Sequence, residues 1–142
     1  MLTHLLDTSV FSQPIKDHPV AGAMARWAQL GDGSACTGAI CLAEVLQGLE
    51  LRQSVKYWRR YRELLEHRYP VLAFDEAVAA TYGELASSLA RLGTPRPALD
   101  LMIASTAKTH GLIVATLNSR DFSDIPGLAV EDWSTTTDAA LA

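Results

Sequence analysis

The chain has 142 residues and a mass of 15.4 kDa, the size of one domain. Its 49% hydrophobic and 20% charged residues, with a mean hydropathy of +0.10, exclude a disordered chain. Twelve basic against 16 acidic residues give a formal charge of −4, opposite to the bulk signature of a nucleic-acid binder.

No run free of Asp, Glu, Lys and Arg exceeds 11 residues, so no membrane-spanning helix of about 20 is expected. Residues 1–11 lack a basic leader and carry Asp7 inside their apolar stretch, so no secretory signal is readable. Cys36 and Cys41 are too few for a disulfide framework and lack a second cluster for zinc. They read as two small buried thiols in a reducing cytoplasm.

In chain order, residues 2–6 read as a short buried strand ending at Asp7-Thr8-Ser9. A helix over 20–30 follows Pro19 and closes at Gly31-Asp32-Gly33. Residues 34–37 suit a short strand, 39–52 a strongly apolar helix, and 54–67 a second helix stopped before Tyr69-Pro70. Residues 71–74 read as a buried strand, and Asp75 starts a long helix. There Val78, Tyr82, Leu85, Leu89 and Leu92 step by four and three along one face. Gly93 ends that helix, Pro95 and Pro97 mark a loop, and 98–110 is the next helix, stopped by Gly111. Residues 112–116 are the clearest buried strand and 128–130 a shorter last one. Strands that alternate with helices and are apolar throughout predict an α/β fold with a parallel sheet covered on both faces. The domain is expected over 1–133, with 134–142 as a flexible polar tail.

Charge is most informative where it is absent. Asp7 is the only Asp, Glu, Lys or Arg between Met1 and Ile15, Glu44 between Gly33 and Leu49, and Asp100 between Pro97 and Ala107. An isolated carboxylate in apolar surroundings is costly unless a cation meets it. Asp7 ends the first strand, and Asn118 and Asp121 follow the end of the strand at 112–116. Ligands of open parallel sheets bind at such carboxyl ends, where strand order reverses. Oxygen donors without His or Cys favour Mg²⁺ or Mn²⁺ over Zn²⁺. Each residue also has a structural reading. Asp7 suits an N-cap, Asp100 complements a helix dipole, Glu44 suits a polar edge beside Gln47, and Asn118 suits a turn before Asp121-Phe122.

Four short motifs then line up. Leu5-Leu6-Asp7-Thr8-Ser9, Ala43-Glu44-Val45-Leu46-Gln47-Gly48, Leu99-Asp100-Leu101-Met102-Ile103-Ala104 and Ala115-Thr116-Leu117-Asn118-Ser119-Arg120-Asp121-Phe122 occur in order along nearly the whole chain. Ile125-Pro126-Gly127-Leu128 and Val130-Glu131-Asp132-Trp133 follow them. The chain resembles PIN domains, specifically the VapC-type toxins of bacterial toxin–antitoxin pairs. The resemblance implies a three-layer α/β/α sandwich with a central, mostly parallel sheet. It also implies a metal-dependent endoribonuclease, with transfer RNA as the family's expected substrate, inhibited by a VapB-type antitoxin and forming a homodimer. By motif, Asp7, Glu44 and Asp100 are the core metal acids. Asn118 stands where many relatives have Asp, and binds a cation more weakly; Asp121 is in reach to compensate.

On this reading Asp7, Glu44, Asp100 and Asp121 carry catalysis, and Asp7, Glu44, Asp100 and Asn118 the metal. Glu44 or Asp121 orients a water, while Thr8, Ser9 and Thr116 supply hydroxyls that fix the carboxylates or simply close strand-end turns. Six of the 12 basic residues fall between Arg52 and Arg68. Arg52, Lys56, Arg59 and Arg60 share one helix face, which reads as a phosphate-contact surface or a solvated face interrupted by Glu63. Arg96, four residues before Asp100, is a second candidate for substrate phosphate. Tyr57, Trp58 and Tyr61 are expected to leave aromatic surface over for a groove that takes an antitoxin helix. A phosphoacceptor receiver domain is disfavoured, because Asp7 has no acidic neighbour and no Lys follows Lys108. A housekeeping RNA-processing nuclease and a catalytically silent binding module are the remaining alternatives.

Overall fold

The structure, a computed structural model, describes residues 1–135. Most of the tail expected from residue 134, residues 136–142, lies outside the described residues.

The elements are β1 (His4–Leu6), α1 (Thr8–Phe11), α2 (Ala21–Leu30), β2 (Ala35–Gly38), α3 (Ala39–Arg52), α4 (Val55–Leu64), β3 (Val71–Leu72), α5 (Glu76–Arg91), α6 (Ala98–Thr109), β4 (Ile113–Thr116) and β5 (Val130–Asp132). The five strands form one sheet in the order β3-β2-β1-β4-β5, and every pairing is parallel. Strand order therefore reverses at β1, whose neighbours β2 and β4 lie on its two sides. The carboxyl ends of β1 and β4 diverge into different layers there, and the divergence leaves a crevice.

The period of two along each strand divides the core. Leu5, Cys36 and Val114 pack on one face with Leu85 and Leu89 of α5 and Leu101 and Ile103 of α6. Their neighbours Leu6, Ala35 and Ala115 pack on the other with Val10, Phe11, Trp27, Val45, Leu49 and Tyr61. Helices cover both faces, and the three-layer α/β/α sandwich follows from the alternation. At the sheet margin, Glu131 Oε1 accepts from Trp133 Nε1 at 3.1 Å and meets His4 Nε2 at 3.0 Å, joining β5 to β1 across β4. Among the described residues no helix is long and apolar enough to cross a membrane.

Several local expectations need correction. The third strand is only Val71–Leu72, and Val71 is exposed rather than buried, because β3 is an edge paired to β2 alone. It stops early because Asp75 leaves the sheet to cap α5, its side chain accepting from Val78 N at 3.0 Å. Leu92 does not extend the buried face of α5; it is 70% exposed, past the last helical residue. The helix expected to 67 ends at Leu64, and the last strand is Val130–Asp132 instead of 128–130. The short helix α1 and the 3-10 turn Gln13–Ile15 had no sequence expectation beyond a turn at Thr8.

Candidate active site

Asp7 sits where β1 turns into α1, and its side chain serves both elements. Oδ1 caps α1 by accepting from Val10 N at 3.0 Å and also accepts from Ser9 Oγ at 2.6 Å. Oδ2 accepts from Thr116 Oγ1, at the end of β4, at 2.6 Å. Thr116 Oγ1 in turn accepts from Asn118 N at 2.9 Å, and Ser9 Oγ from Leu117 N at 3.0 Å. The strand ends β1 and β4 are thus laced together through one carboxylate. The capping and site readings of Asp7 describe one geometry. Oδ1 has both lone-pair directions engaged, and Oδ2 keeps one for a further partner.

Glu44 enters from the second turn of α3, where Thr8 Oγ1 donates to its Oε1 at 2.6 Å. Asp100 lies in the first turn of α6. Asn118 and Asp121 come from the 3-10 turn after β4. Asp7, Glu44, Asp100, Asn118 and Asp121 line one pocket of about 420 Å³, together with Ser12, Gln13 and Lys16. All five sequence-predicted metal and catalytic positions are therefore brought together. None of the four carboxylates lies within 4.0 Å of a Lys, Arg or His nitrogen among the described residues.

The electrostatics follow from that. Burial holds the Asp7 carboxyl above the usual range, and its hydrogen bonds from Ser9, Thr116 and Val10 offset this only in part. Burial also raises Asp100, and repulsion from Asp121, Glu44 and Asp7 raises it further; the charge of Arg96 opposes. Four carboxylates without a protein cation are a donor set for a hard divalent ion, and the absence of sulfur and imidazole fits Mg²⁺ or Mn²⁺. The donors are not drawn in around one point. Among the described residues no three His, Cys, Asp or Glu side chains form a ready metal cluster. The donor chemistry fits such an ion. The thiols take no part: burial pushes Cys36 up to about 11 and Cys41 to about 12, and both are free.

Of the basic candidates, Arg96 acts by its charge on Asp100, while Arg59 and Arg60 have other surroundings. Arg60 Nη1 donates to Ile15 O and to Asp17 Oδ1, both at 2.8 Å, so it is committed within the fold. Arg59 lines a shallow cleft with Trp58, Arg62 and Glu63, apart from the acidic pocket. Arg96 donates from Nη1 to Arg120 O at 3.0 Å and from Nη2 to Ser123 O, which fastens the loop before α6 to the turn carrying Asp121. The aromatic surplus is smaller than expected. Tyr61 is buried, and Tyr57 and Trp58 are half-buried against the second core cluster. Lys16 was missed. Its only sequence signal is that it ends the charge-free run that isolates Asp7.

A profile of the PIN domain matches residues 4–128. The tRNA(fMet)-specific endonuclease VapC of Shigella flexneri is 37% identical over 134 residues, 94% of this chain and 100% of that protein. The crystal structure of DNA-bound VapBC from Salmonella typhimurium superimposes with a TM-score of 0.80 at 36% identity, covering 94% of this chain and 99% of the other. The structure of FitAB bound to an IR36 DNA fragment gives 0.83 at 30% identity, covering 95% and 98%. Fold, site and similarity agree that this chain belongs to the PIN domain family, among its VapC-type members.

Proposed function

We propose that this protein is a Mg²⁺-dependent endoribonuclease, the toxin of a type II toxin–antitoxin pair, acting on RNA in the cytoplasm. The observation that carries the reading is the pocket at the strand crossover, lined by Asp7, Glu44, Asp100, Asn118 and Asp121, whose four carboxylates make no ion pair among the described residues. The names of the relatives support the rest. VapC of Shigella flexneri is named a tRNA(fMet)-specific endonuclease and a Haemophilus influenzae relative a ribonuclease. Structures of the VapBC and FitAB type favour a VapB-type antitoxin as partner and the toxin over the housekeeping reading. Transfer RNA as substrate and a homodimer as the working form belong to the same proposal.

Asp7, Glu44 and Asp100 would hold the ion, with Asn118 as a neutral fourth donor. A bound Mg²⁺ or Mn²⁺ supplies Lewis-acid chemistry, making water a nucleophile at neutral pH and offsetting charge on the phosphodiester. The chain does the positioning. Ser9, Val10 and Thr116 hold both oxygens of Asp7, and Thr8 holds one oxygen of Glu44. Asp121, exposed on the turn after β4, would orient the attacking water and accept its proton. Neutral Asn118 lowers the repulsion that a fifth carboxylate would add.

Purified protein incubated with total transfer RNA should cut in Mg²⁺ or Mn²⁺, stop in excess EDTA and resume when either ion is restored. Full activity in EDTA contradicts the mechanism. Mapping new RNA 5′ ends after induction in cells identifies the substrate, and cleavage confined to precursor ends would favour the housekeeping reading.

A further inference from the structure

Lys16 is the only Lys, Arg or His side chain lining the acidic pocket among the described residues. It also lines the adjoining cleft of about 460 Å³, which shares Thr8, Ser12, Lys16 and Glu44 with the pocket and runs on past His18 and Arg52. Lys16 thus stands at the junction of the two, with no carboxylate oxygen within 4.0 Å of its ammonium among the described residues. The carboxylate next to it, Asp17, is already engaged by Tyr57 Oη at 2.7 Å, Lys56 Nζ at 3.0 Å and Arg60 Nη1 at 2.8 Å.

The backbone that carries it is held firmly. Lys16 N donates to Gln13 O at 3.1 Å, closing the 3-10 turn. The buried Gln13 side chain donates to Ser9 O at 2.9 Å and accepts from Val20 N at 2.8 Å. Arg60, reaching from α4, donates to Ile15 O at 2.8 Å. A lysine stem is flexible, but its root is fixed beside the pocket mouth.

A polyanionic substrate entering a pocket of carboxylates meets repulsion at every phosphate except the one the metal takes. A fixed-root ammonium at the junction with the next cleft is where a flanking phosphate gains most. We infer that Lys16 binds an RNA phosphate next to the scissile one, at the junction of the two clefts, and that Arg60 is a positioning residue that sets the Lys16 turn. The inference rests on reading the pocket as an RNA-cleaving site.

The test uses 5′-fluorescein-labelled initiator transfer RNA, with anisotropy measured in EDTA across a salt series and steady-state cleavage measured in Mg²⁺. For Lys16→Gln we expect binding about three- to tenfold weaker at low salt, and a slope of log Kd against log salt lower by about 0.7–1, one phosphate contact. The loss should fall more in KM than in kcat. Lys16→Arg should keep the wild-type slope. Arg60→Ala should weaken binding less and lower Tm as its two bonds are lost. A Lys16→Gln protein with wild-type affinity and salt slope, while wild type binds and cuts the RNA, overturns the assignment. So does an unchanged RNA affinity with weakened binding of the co-encoded antitoxin, which would give Lys16 to the protein partner. Wild-type protein that neither binds nor cuts RNA overturns the proposed function and this inference with it.

Discussion

Asp17 lines the cleft that adjoins the acidic pocket and Asp100 lines the pocket itself, and the two hold the same functional group in contrary ways. Asp17 is surface-exposed and receives three donors, from Tyr57, Lys56 and Arg60, which hold its carboxyl well below the usual carboxylate range. Asp100 is half-buried, receives no ion pair and faces Asp121, Glu44 and Asp7, so its carboxyl is held above that range. Two cations of α4, Lys56 and Arg60, meet the first carboxylate, and among the described residues none pairs with the second. A fold that had only to be stable would pair both. The unpaired cluster is the region built for something from solution, and Asp17 is part of the frame that holds it.

Removing a charge from each region separates the two roles most strongly. Asp100→Asn keeps size and loses an anionic donor. Cleavage should fall at least about 100-fold, because a lost ligand forfeits several kcal/mol of transition-state stabilisation and about 1.4 kcal/mol is already tenfold. The circular dichroism spectrum should be unchanged. Asp17→Asn should leave kcat within a few-fold and act instead on the Ile15–Lys16 turn. Equal losses in the two variants would erase the distinction drawn between them.

A pH series in EDTA is the next sharpest. A carboxyl raised in the folded state stabilises below its unfolded pKa, and that contribution is lost as pH rises through the folded value. Asp100 starts from an ordinary 3.8 and is raised, so Asp100→Asn should gain Tm relative to wild type as pH climbs above 3.8. Asp17 starts from the same 3.8 and is lowered, so its stabilisation is present above that value and lost as pH falls below it. Asp17→Asn should therefore be less stable than wild type at neutral pH and approach it in acid. Parallel pH curves for the two differences would contradict the assigned environments.

The smallest effect is expected at Asn118, which is exposed and neutral. Asn118→Asp should tighten Mg²⁺ binding by a few-fold where the side chain reaches the ion. It should lower the metal-free Tm by adding one more like charge. Calorimetric titration measures the first and thermal denaturation the second. No change in either removes Asn118 from the site.

How far the sequence revealed this contrast depended on distance along the chain. Asp7, Glu44 and Asp100 stood out because each is alone in an apolar run, a pattern with period and burial behind it. The parallel sheet was legible from its clearest strand, since residues 112–115 are apolar without alternation. What failed was fixed by tertiary partners. Arg60 lies on a basic helix face in sequence, yet Ile15 O and Asp17, 45 and 43 residues away, claim it. Val71 looks like core, but an edge strand with one neighbour leaves it in water. Lys16 carried no local signal beyond ending the charge-free run after Asp7, and the 3-10 turn held by Arg60 of α4 carries it beside the pocket.

The central claim is that the carboxylates at the strand crossover are left unpaired to receive a divalent ion, and the thermal stability of the metal-free protein tests it most directly. At pH 7.5 in EDTA, wild type should melt below Asp100→Asn, because the variant relieves repulsion. Added Mg²⁺ should then raise the wild-type Tm, by the equivalent of about 2.7 kcal/mol at 100 times its Kd, and leave Asp100→Asn little changed. A wild-type Tm that is indifferent to millimolar Mg²⁺ and Mn²⁺, or equal shifts in both proteins, would contradict the account.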